Sequence, residues 1–273
     1  MDLSKLKLKD EAFTKKEFSL TTDKNGVLQT IPKPKNLSSY YNFGGYISHQ
    51  SEQKDIIHSI YNWVKLQMFR TKLGLLEKHL SELNSVLDFG CGTGEFISYL
   101  KSNGINSEGV EPTLVAYQKA MEKNIEVYKD INESKKTYDA ITLFHVLEHV
   151  DDYEKTIQDL SSKLNSKGLM LIAVPNYKSH DAEYYKEKWA AWDVPRHLWH
   201  FNRENIKDIA ERFNLELVKI RPMPFDAFYI SMVSESYKGN SKVKGLWRGL
   251  ISNLEAIHTK EYSSNLFLLQ KRL

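Results

Sequence analysis

The chain has 273 residues, 41% of them hydrophobic, enough for one large domain with its own core. It has no run of about 18 apolar residues, which excludes a membrane-spanning helix of that length. A single cysteine, Cys91, excludes an internal disulfide and an all-cysteine zinc site, and a net charge of +3 is no strong signal for nucleic acid. Met1-Asp2-Leu3-Ser4-Lys5 lacks the apolar core of a signal peptide, so a cytoplasmic protein is the simple expectation.

Residues 1–35 are mixed and Lys-rich and end in Ile31-Pro32-Lys33-Pro34, which reads as an arm or short ribbon. Tyr40-Tyr41-Asn42-Phe43-Gly44-Gly45-Tyr46-Ile47-Ser48-His49 follows, and 1–52 is taken as one amino-terminal segment. Residues 53–80 carry Ile57, Ile60, Val64 and Met68 at helical spacing, predicting a helix packed on a sheet.

Val86-Leu87-Asp88-Phe89 is apolar enough for a buried parallel strand. It breaks into Gly90-Cys91-Gly92-Thr93-Gly94 and resumes as a helix at Phe96, Ile97 and Leu100. Strand, glycine turn and helix make a nucleotide-binding corner. The spacing is not that of a dinucleotide fingerprint, because Glu95 stands where the third glycine would be, and no Gly-Lys-Ser/Thr of a P-loop is present. A second strand, Ser107–Glu111, ends in a carboxylate about 20 residues beyond the loop, where a ribose is held. Pro112 opens the next helix. Ile125–Tyr128 is a short third strand followed by Asp130-Ile131, and Tyr138–Phe144 a fourth, leading into His145-Val146-Leu147-Glu148-His149. A helix over Tyr153–Leu164 and a fifth strand over Gly168–Val174 come next. Residues 176–201 form an insertion rich in tryptophan and histidine, with Trp189, Trp192, Arg196, His197 and Trp199. Asn202 caps a helix whose core stripe is Ile206, Ile209, Ala210 and Phe213. Strands Leu215–Ile220 and Asn265–Gln270 bracket a second insertion, 222–262, with a basic run Lys238, Lys242, Lys244 and Arg248 around Trp247. That run reads as a solvated face, or as contact with an anionic substrate or a membrane surface.

Asp-Phe-Gly-Cys-Gly-Thr-Gly, with Glu111 behind it, resembles motif I of the class I S-adenosylmethionine-dependent methyltransferases. Asp130, Leu-Glu-His at 147–149 and Asp-Val-Pro-Arg-His at 193–197 place the resemblance in the branch of ubiquinone-type O-methyltransferases and their bacterial relatives. It implies an α/β fold with a seven-stranded, mainly parallel sheet, the last strand reversed, and helices on both faces over 53–273. It implies S-adenosylmethionine as cofactor, S-adenosylhomocysteine as product and a small-molecule acceptor. It places the cofactor against Asp88, Gly90, Cys91, Gly92, Gly94, Glu111, Pro112, Asp130, Ile131, Phe144 and His145. Asp88 would sit near the methionine ammonium, Glu111 on the ribose, and Asp130 on the adenine with Ile131 against the ring. The segment around Tyr46 and His49 would cover the cofactor. Many relatives carry Cys-x-x-Cys upstream, where this chain has Thr22-Asp23-Lys24-Asn25-Gly26.

His149, His197 and Tyr46 are the candidates for a proton acceptor, should the nucleophile be a hydroxyl. The 176–201 insertion would be an acceptor lid, with Arg196 and His197 facing the pocket. One alternative is a divalent-metal-dependent enzyme acting on a quinone or on an RNA 2′-hydroxyl. Some methyltransferases bind an ion through Glu-x-x-Glu-His at this place, and His145, Glu148, His149 and His197 would supply the ligands here. A further alternative is a cofactor-binding protein without turnover.

Overall fold

Seven strands pair into one sheet whose alternate residues point to opposite faces. In chain order they are β4 (Ser85–Phe89), β5 (Asn106–Val110), β6 (Val127–Tyr128), β7 (Tyr138–Phe144), β8 (Leu164–Pro175), β10 (Leu215–Pro222) and β11 (Ser264–Lys271). Their spatial order is β10-β11-β8-β7-β4-β5-β6, with β11 antiparallel to both neighbours and the rest of the central strands parallel. This is the expected architecture. The computed structural model describes residues 3, 6–41 and 56–273, and the side chains of Ser38 and of 56–61 lie outside that description, as do the expectations placed on Tyr46, His49, Ile57 and Ile60.

The alternation decides which helix covers which face. Leu87, Ile141, Leu143, Met170, Ile172, Phe267 and Leu269 meet the apolar stripes of α4 (Tyr153–Lys163) and α6 (Arg203–Arg212). Val86, Ala140, Leu169, Leu171, Ala173, Leu266 and Leu268 meet α1 (Ile56–His79) and α2 (Glu95–Ser102). The α1 contact is made by its final turns, through Leu73, Leu75 and Leu76, with Met68 and Phe69 at the margin. Asn202 caps α6 in a reciprocal pair with Asn205.

The amino-terminal ribbon has three strands, β1 (Lys7–Lys9), β2 (Glu17–Thr22) and β3 (Leu28–Ile31). The β2–β3 turn is closed by the Asp23 carboxylate, which accepts from the Asn25 and Val27 amides at 2.8 and 2.9 Å. Strand β9 (Trp199–His200), from the 176–201 insertion that also holds the short helix α5 (His180–Tyr185), extends the ribbon into a second sheet. Leu8, Phe18, Leu20 and Leu28 of the ribbon share a small core with Tyr185, Trp189, Trp192 and Val194 of the insertion.

The 222–262 insertion is a hairpin of α7 (Pro224–Tyr237) and α8 (Lys242–Thr259). Its helices meet through glycine. A Cβ on Gly245 would fall 2.4 Å from the Met232 Cα, and one on Gly249 2.7 Å from the Phe228 Cα. Backbone cannot yield as a side-chain tip can, so Gly245→Leu should lower stability by about 1–3 kcal/mol or more in urea unfolding. A variant as stable as the parent would refute the close crossing.

Candidate functional site

The carboxyl ends of the parallel strands β4, β5 and β7 lie side by side, the edge of an open α/β sheet at which ligands bind. After Phe89 the chain turns through Gly90, Gly92 and Gly94, all with positive φ. Gly90 and Gly94 are packed: a Cβ there would strike Val146 or Ile125 at 2.4 or 2.2 Å. A Cβ on Gly92 would meet nothing within 4 Å, and Gly92 has φ +55°. The loop is therefore braced at its ends and open at its middle, a shape that fits a ligand passing close to backbone. The Cys91 thiol packs with Ile97, Ala120, Ile125 and Val127 against Gly109, so Cys91 can meet a ligand through its backbone.

Glu111 ties the loop to the next helix. Its Oε2 accepts from the Gly92 amide at 3.0 Å and its Oε1 from the Thr113 amide at 2.8 Å, ahead of α3 (Leu114–Glu122). Each carboxylate oxygen can accept a further bond. Pro112 lies exposed beside it. Asp130, exposed at the end of β6, accepts from the Asn132 amide at 2.8 Å, and Ile131 behind it is buried.

Asp88 is buried and accepts from the Thr142 hydroxyl at 2.6 Å. Burial pushes its pKa up to about 6, against the pull of Thr142 and Lys72, and the charge of Glu111 adds to the rise. Lys72 was not expected here. It lies on α1, with its Nζ 3.4 Å from the centroid of the Phe144 ring, and burial lowers it to about 8 against the charges of Asp88 and Asp226. Phe144 also meets Phe96 edge-on, with ring centroids 5.4 Å apart. The available signal was a lysine four residues from both Met68 and Leu76 on the apolar side of a helix.

His145 adopts φ +56°, and its amide donates to the Ala173 carbonyl at 2.9 Å. Its Nε2 lies 3.1 Å from Asp226 Oδ2 and its Nδ1 3.5 Å from Glu148 Oε1. Desolvation opposes the charged ring, but the two carboxylates outweigh it and hold the pKa above the ordinary imidazole value. Because the side chain is 37% exposed, solvent screens this effect. Glu148 is 1% exposed, and neither of its oxygens has a hydrogen-bond partner among the described residues. Burial alone would raise its pKa, and the facing His145 imidazolium turns the shift downward.

His149 and His197, far apart in the chain, are brought edge to face with centroids 4.5 Å apart. His149 Nδ1 lies 3.0 Å from the Arg196 carbonyl, and His197 Nδ1 lies 2.8 Å from the Ala191 carbonyl. Carbonyls only accept, so each Nδ1 carries a proton. Tyr41 Oη is also 3.0 Å from His149 Nδ1. Burial and neighbouring His197 lower His149 to about 4, so it is neutral at pH 7. Ligand atoms of Glu148, His149 and His197 lie within 4.8 Å of one another, a group that could hold a cation. His145, grouped with them by spacing, is turned toward Asp226 as well.

Arg196 does not face an acceptor pocket. It is 1% exposed and held by the Asp193 carboxylate, with Nε 3.0 Å from both oxygens, and by Asp10 at 3.1 Å. The three tryptophans of the insertion are buried, their indole N–H groups bonded to Asp181, the Lys186 carbonyl and the Val150 carbonyl. Arg196→Met would leave two carboxylates uncompensated and should cost about 3–5 kcal/mol of stability, read by urea unfolding. Affinity for S-adenosylhomocysteine should stay near that of the parent while the protein is folded. Lost affinity at unchanged stability would return Arg196 to the ligand.

Residues 62–220 match the family model described as a methyltransferase domain. The chain is 25% identical over 201 residues to a ubiquinone biosynthesis O-methyltransferase of Rickettsia bellii, covering 66% of this chain and 82% of that one. It is 29% identical over 167 residues to one of Pelagibacter ubique, covering 52% and 65%. Among solved structures, magnesium protoporphyrin IX methyltransferase from Synechocystis PCC 6803 with bound S-adenosylhomocysteine has TM-score 0.56 at 15% identity, covering 85% and 97% of the two chains. A cyclopropane synthase from Mycobacterium tuberculosis has TM-score 0.53 at 12% identity, covering 74% and 83%. The chain belongs to the methyltransferase-domain family.

Proposed function

We propose that this methyltransferase methylates a hydroxyl of a small, apolar acceptor, and that the cleft between the glycine loop and His145 holds its cofactor. The observation that carries the cofactor reading is Gly92, open at the middle of a braced loop whose amide is aimed at Glu111. The similarity to ubiquinone biosynthesis O-methyltransferases supports the acceptor class. Bound S-adenosylmethionine supplies an electrophilic methyl on a sulfonium. The chain's own residues hold and orient the partners. Glu111 accepts from the ribose, Asp130 and Ile131 hold the adenine, and Asp88 with Lys72 receives the charged methionine end. His149 is neutral, with its Nε2 lone pair available to a hydroxyl proton. Its low pKa makes it a weak base, so its share is alignment as much as proton transfer. His197 supports its ring, and Tyr46 remains a candidate from the sequence, outside the described residues.

A divalent ion at Glu148, His149 and His197 is the second reading, favoured by two buried Glu148 oxygens that accept no hydrogen bond among the described residues. One carboxylate and two imidazoles suit zinc-like ions better than Mg²⁺. It is the less favoured reading, because the His145 imidazolium already faces Glu148.

The Asp88 role has a pH signature. Its folded-state pKa, raised to about 6 from 3.8, means that its stabilising form is the protonated one, complete below about 4 and lost as pH rises through 6. An ammonium beside it reverses the preference. Affinity for S-adenosylhomocysteine should therefore rise roughly tenfold per unit as pH approaches 6 from below and level off above it, by isothermal titration. Asp88→Asn should flatten the profile. A parent profile without a step near 6 would remove Asp88 from the ammonium.

The acceptor is tested by incubating labelled S-adenosylmethionine with polyprenylated and short-chain catechols, and with lipid, small-molecule, protein and RNA fractions of cell extract. Label in a phenolic ether, with transfer reduced roughly 10²–10⁴-fold in His149→Ala at unchanged cofactor affinity, is the expected result. Label confined to RNA or protein would refute the acceptor class. Transfer abolished by chelator and restored by Zn²⁺ would establish the ion.

A further inference from the structure

Helix α8 buries the wrong-sized residues for an ordinary surface helix. Its inward face is Gly245, Gly249, Ser252 and Ala256. Its outward face carries Val243, Leu246, Trp247, Leu250, Leu254 and Ile257, each 40–65% exposed. The spacings are threes and fours, so the six form one stripe along the helix opposite the buried one. Among the described residues nothing covers it. Isolated exposed apolar residues are ordinary, whereas an unbroken stripe of six marks a contact surface.

The charges at its margin identify the partner. Lys242, Lys244 and Arg248 lie in the first half of α8, Lys238 just before it and Lys260 just after. Glu255 is the one carboxylate on the helix. Lys244 reaches Glu235 at 3.6 Å, Arg248 stacks 4.0 Å from the Tyr184 ring centroid and Lys238 lies over the same ring at 5.1 Å, so these three cations are held at one margin of the stripe, and the helical spacing puts Lys242 and Lys260 at the other. A stripe of Leu, Ile, Val and Trp rimmed by Lys and Arg is the pattern of a helix lying in the plane of an anionic membrane surface. Trp247, the most exposed of the six, is the residue type that settles at the boundary of lipid and water. A second copy fits less well: an isologous contact would set one predominantly cationic rim against another.

We infer that α8 is a peripheral docking surface for an anionic lipid bilayer. The face is convex and belongs to one helix, so it presses its stripe into the interface without opening the fold. The partner helix α7 carries Asp226 to His145, so the docked hairpin also touches the segment that follows β7. An apolar acceptor dissolved in the same bilayer would be delivered next to that segment. The docking itself does not depend on what the acceptor is, and vesicle binding tests it without turnover.

The test is co-sedimentation of the full chain with vesicles of phosphatidylcholine alone and of phosphatidylcholine with phosphatidylglycerol. The parent should bind the anionic vesicles, bind the neutral ones at least roughly fivefold less, and be released by salt near 0.5 M, on the order of the concentration that screens surface charge. In a Trp63→Phe background, Trp247 fluorescence should shift to the blue on binding. Leu250→Glu with Leu254→Glu should reduce partitioning at least roughly tenfold. Lys242→Glu with Lys260→Glu should weaken anionic binding while leaving the residual neutral binding in place. Both doubles should keep the parent's melting temperature and S-adenosylhomocysteine affinity, since the altered side chains point away from core and cleft. The inference is overturned if the parent ignores anionic vesicles at low salt, or if the leucine double binds them as the parent does. It is equally overturned if the parent is a dimer that the leucine double splits and vesicles do not bind, which would assign the face to a second copy.

Discussion

The buried fork of Arg196 is the interaction on which the neighbourhood of the site depends. Its guanidinium is shared by Asp193, three residues away, and Asp10, from the far end of the chain. Desolvating an arginine and two carboxylates is unfavourable unless their geometry is well matched, and the planar fork supplies that match. The result is positional. The carbonyl of Arg196 fixes the Nδ1 proton of His149, and the next residue, His197, meets His149 edge to face. Glu148's carbonyl accepts from the Leu198 and Trp199 amides, which zips the insertion onto the segment after β7. The ribbon, the insertion and the two imidazoles are thus set by one ionic knot.

The corner between the glycine loop and His145, where we propose that the cofactor binds, has a different electrostatic character. Three carboxylates, Asp88, Glu111 and Asp226, converge near its floor with Lys72 and His145 as cations. Burying these charges is unfavourable, and burial pushes Asp88 and Lys72 each toward its neutral form. A zwitterionic amino-acid moiety has both charges needed to complement such a floor. The arrangement is pre-organised, because Glu111 is already held by two amides and Asp88 by Thr142.

The two insertions solve packing in opposite ways. In 176–201 the large aromatic residues go inward, each indole nitrogen finding a partner, and the segment becomes a second core with the ribbon. In α8 the small residues go inward, because the α7 backbone passes within reach of a Cβ, and the large residues are left outside. Equally apolar composition therefore produces structural ballast in one place and an uncovered stripe in the other.

Local chemistry in the sequence determined the sheet and its corner. Alternation placed Val86 and Leu87 on opposite faces, the glycine run required a positive-φ turn, and Glu111 marked the end of the adjoining strand. Such features are legible because each depends on residues within a few positions of one another. Long-range placement was decided only by the tertiary structure. Arg196 read as a ligand group because nothing near it in the chain foretold Asp10, and Lys72 drew no reading because Asp88 and Asp226 reach it only through space. The tryptophans of the insertion could line a pocket or a core with equal local preference, and the ribbon from the opposite terminus supplied the surface that made them core. A side chain's charge state and partner are set by three-dimensional neighbours, and sequence separation carries no record of them.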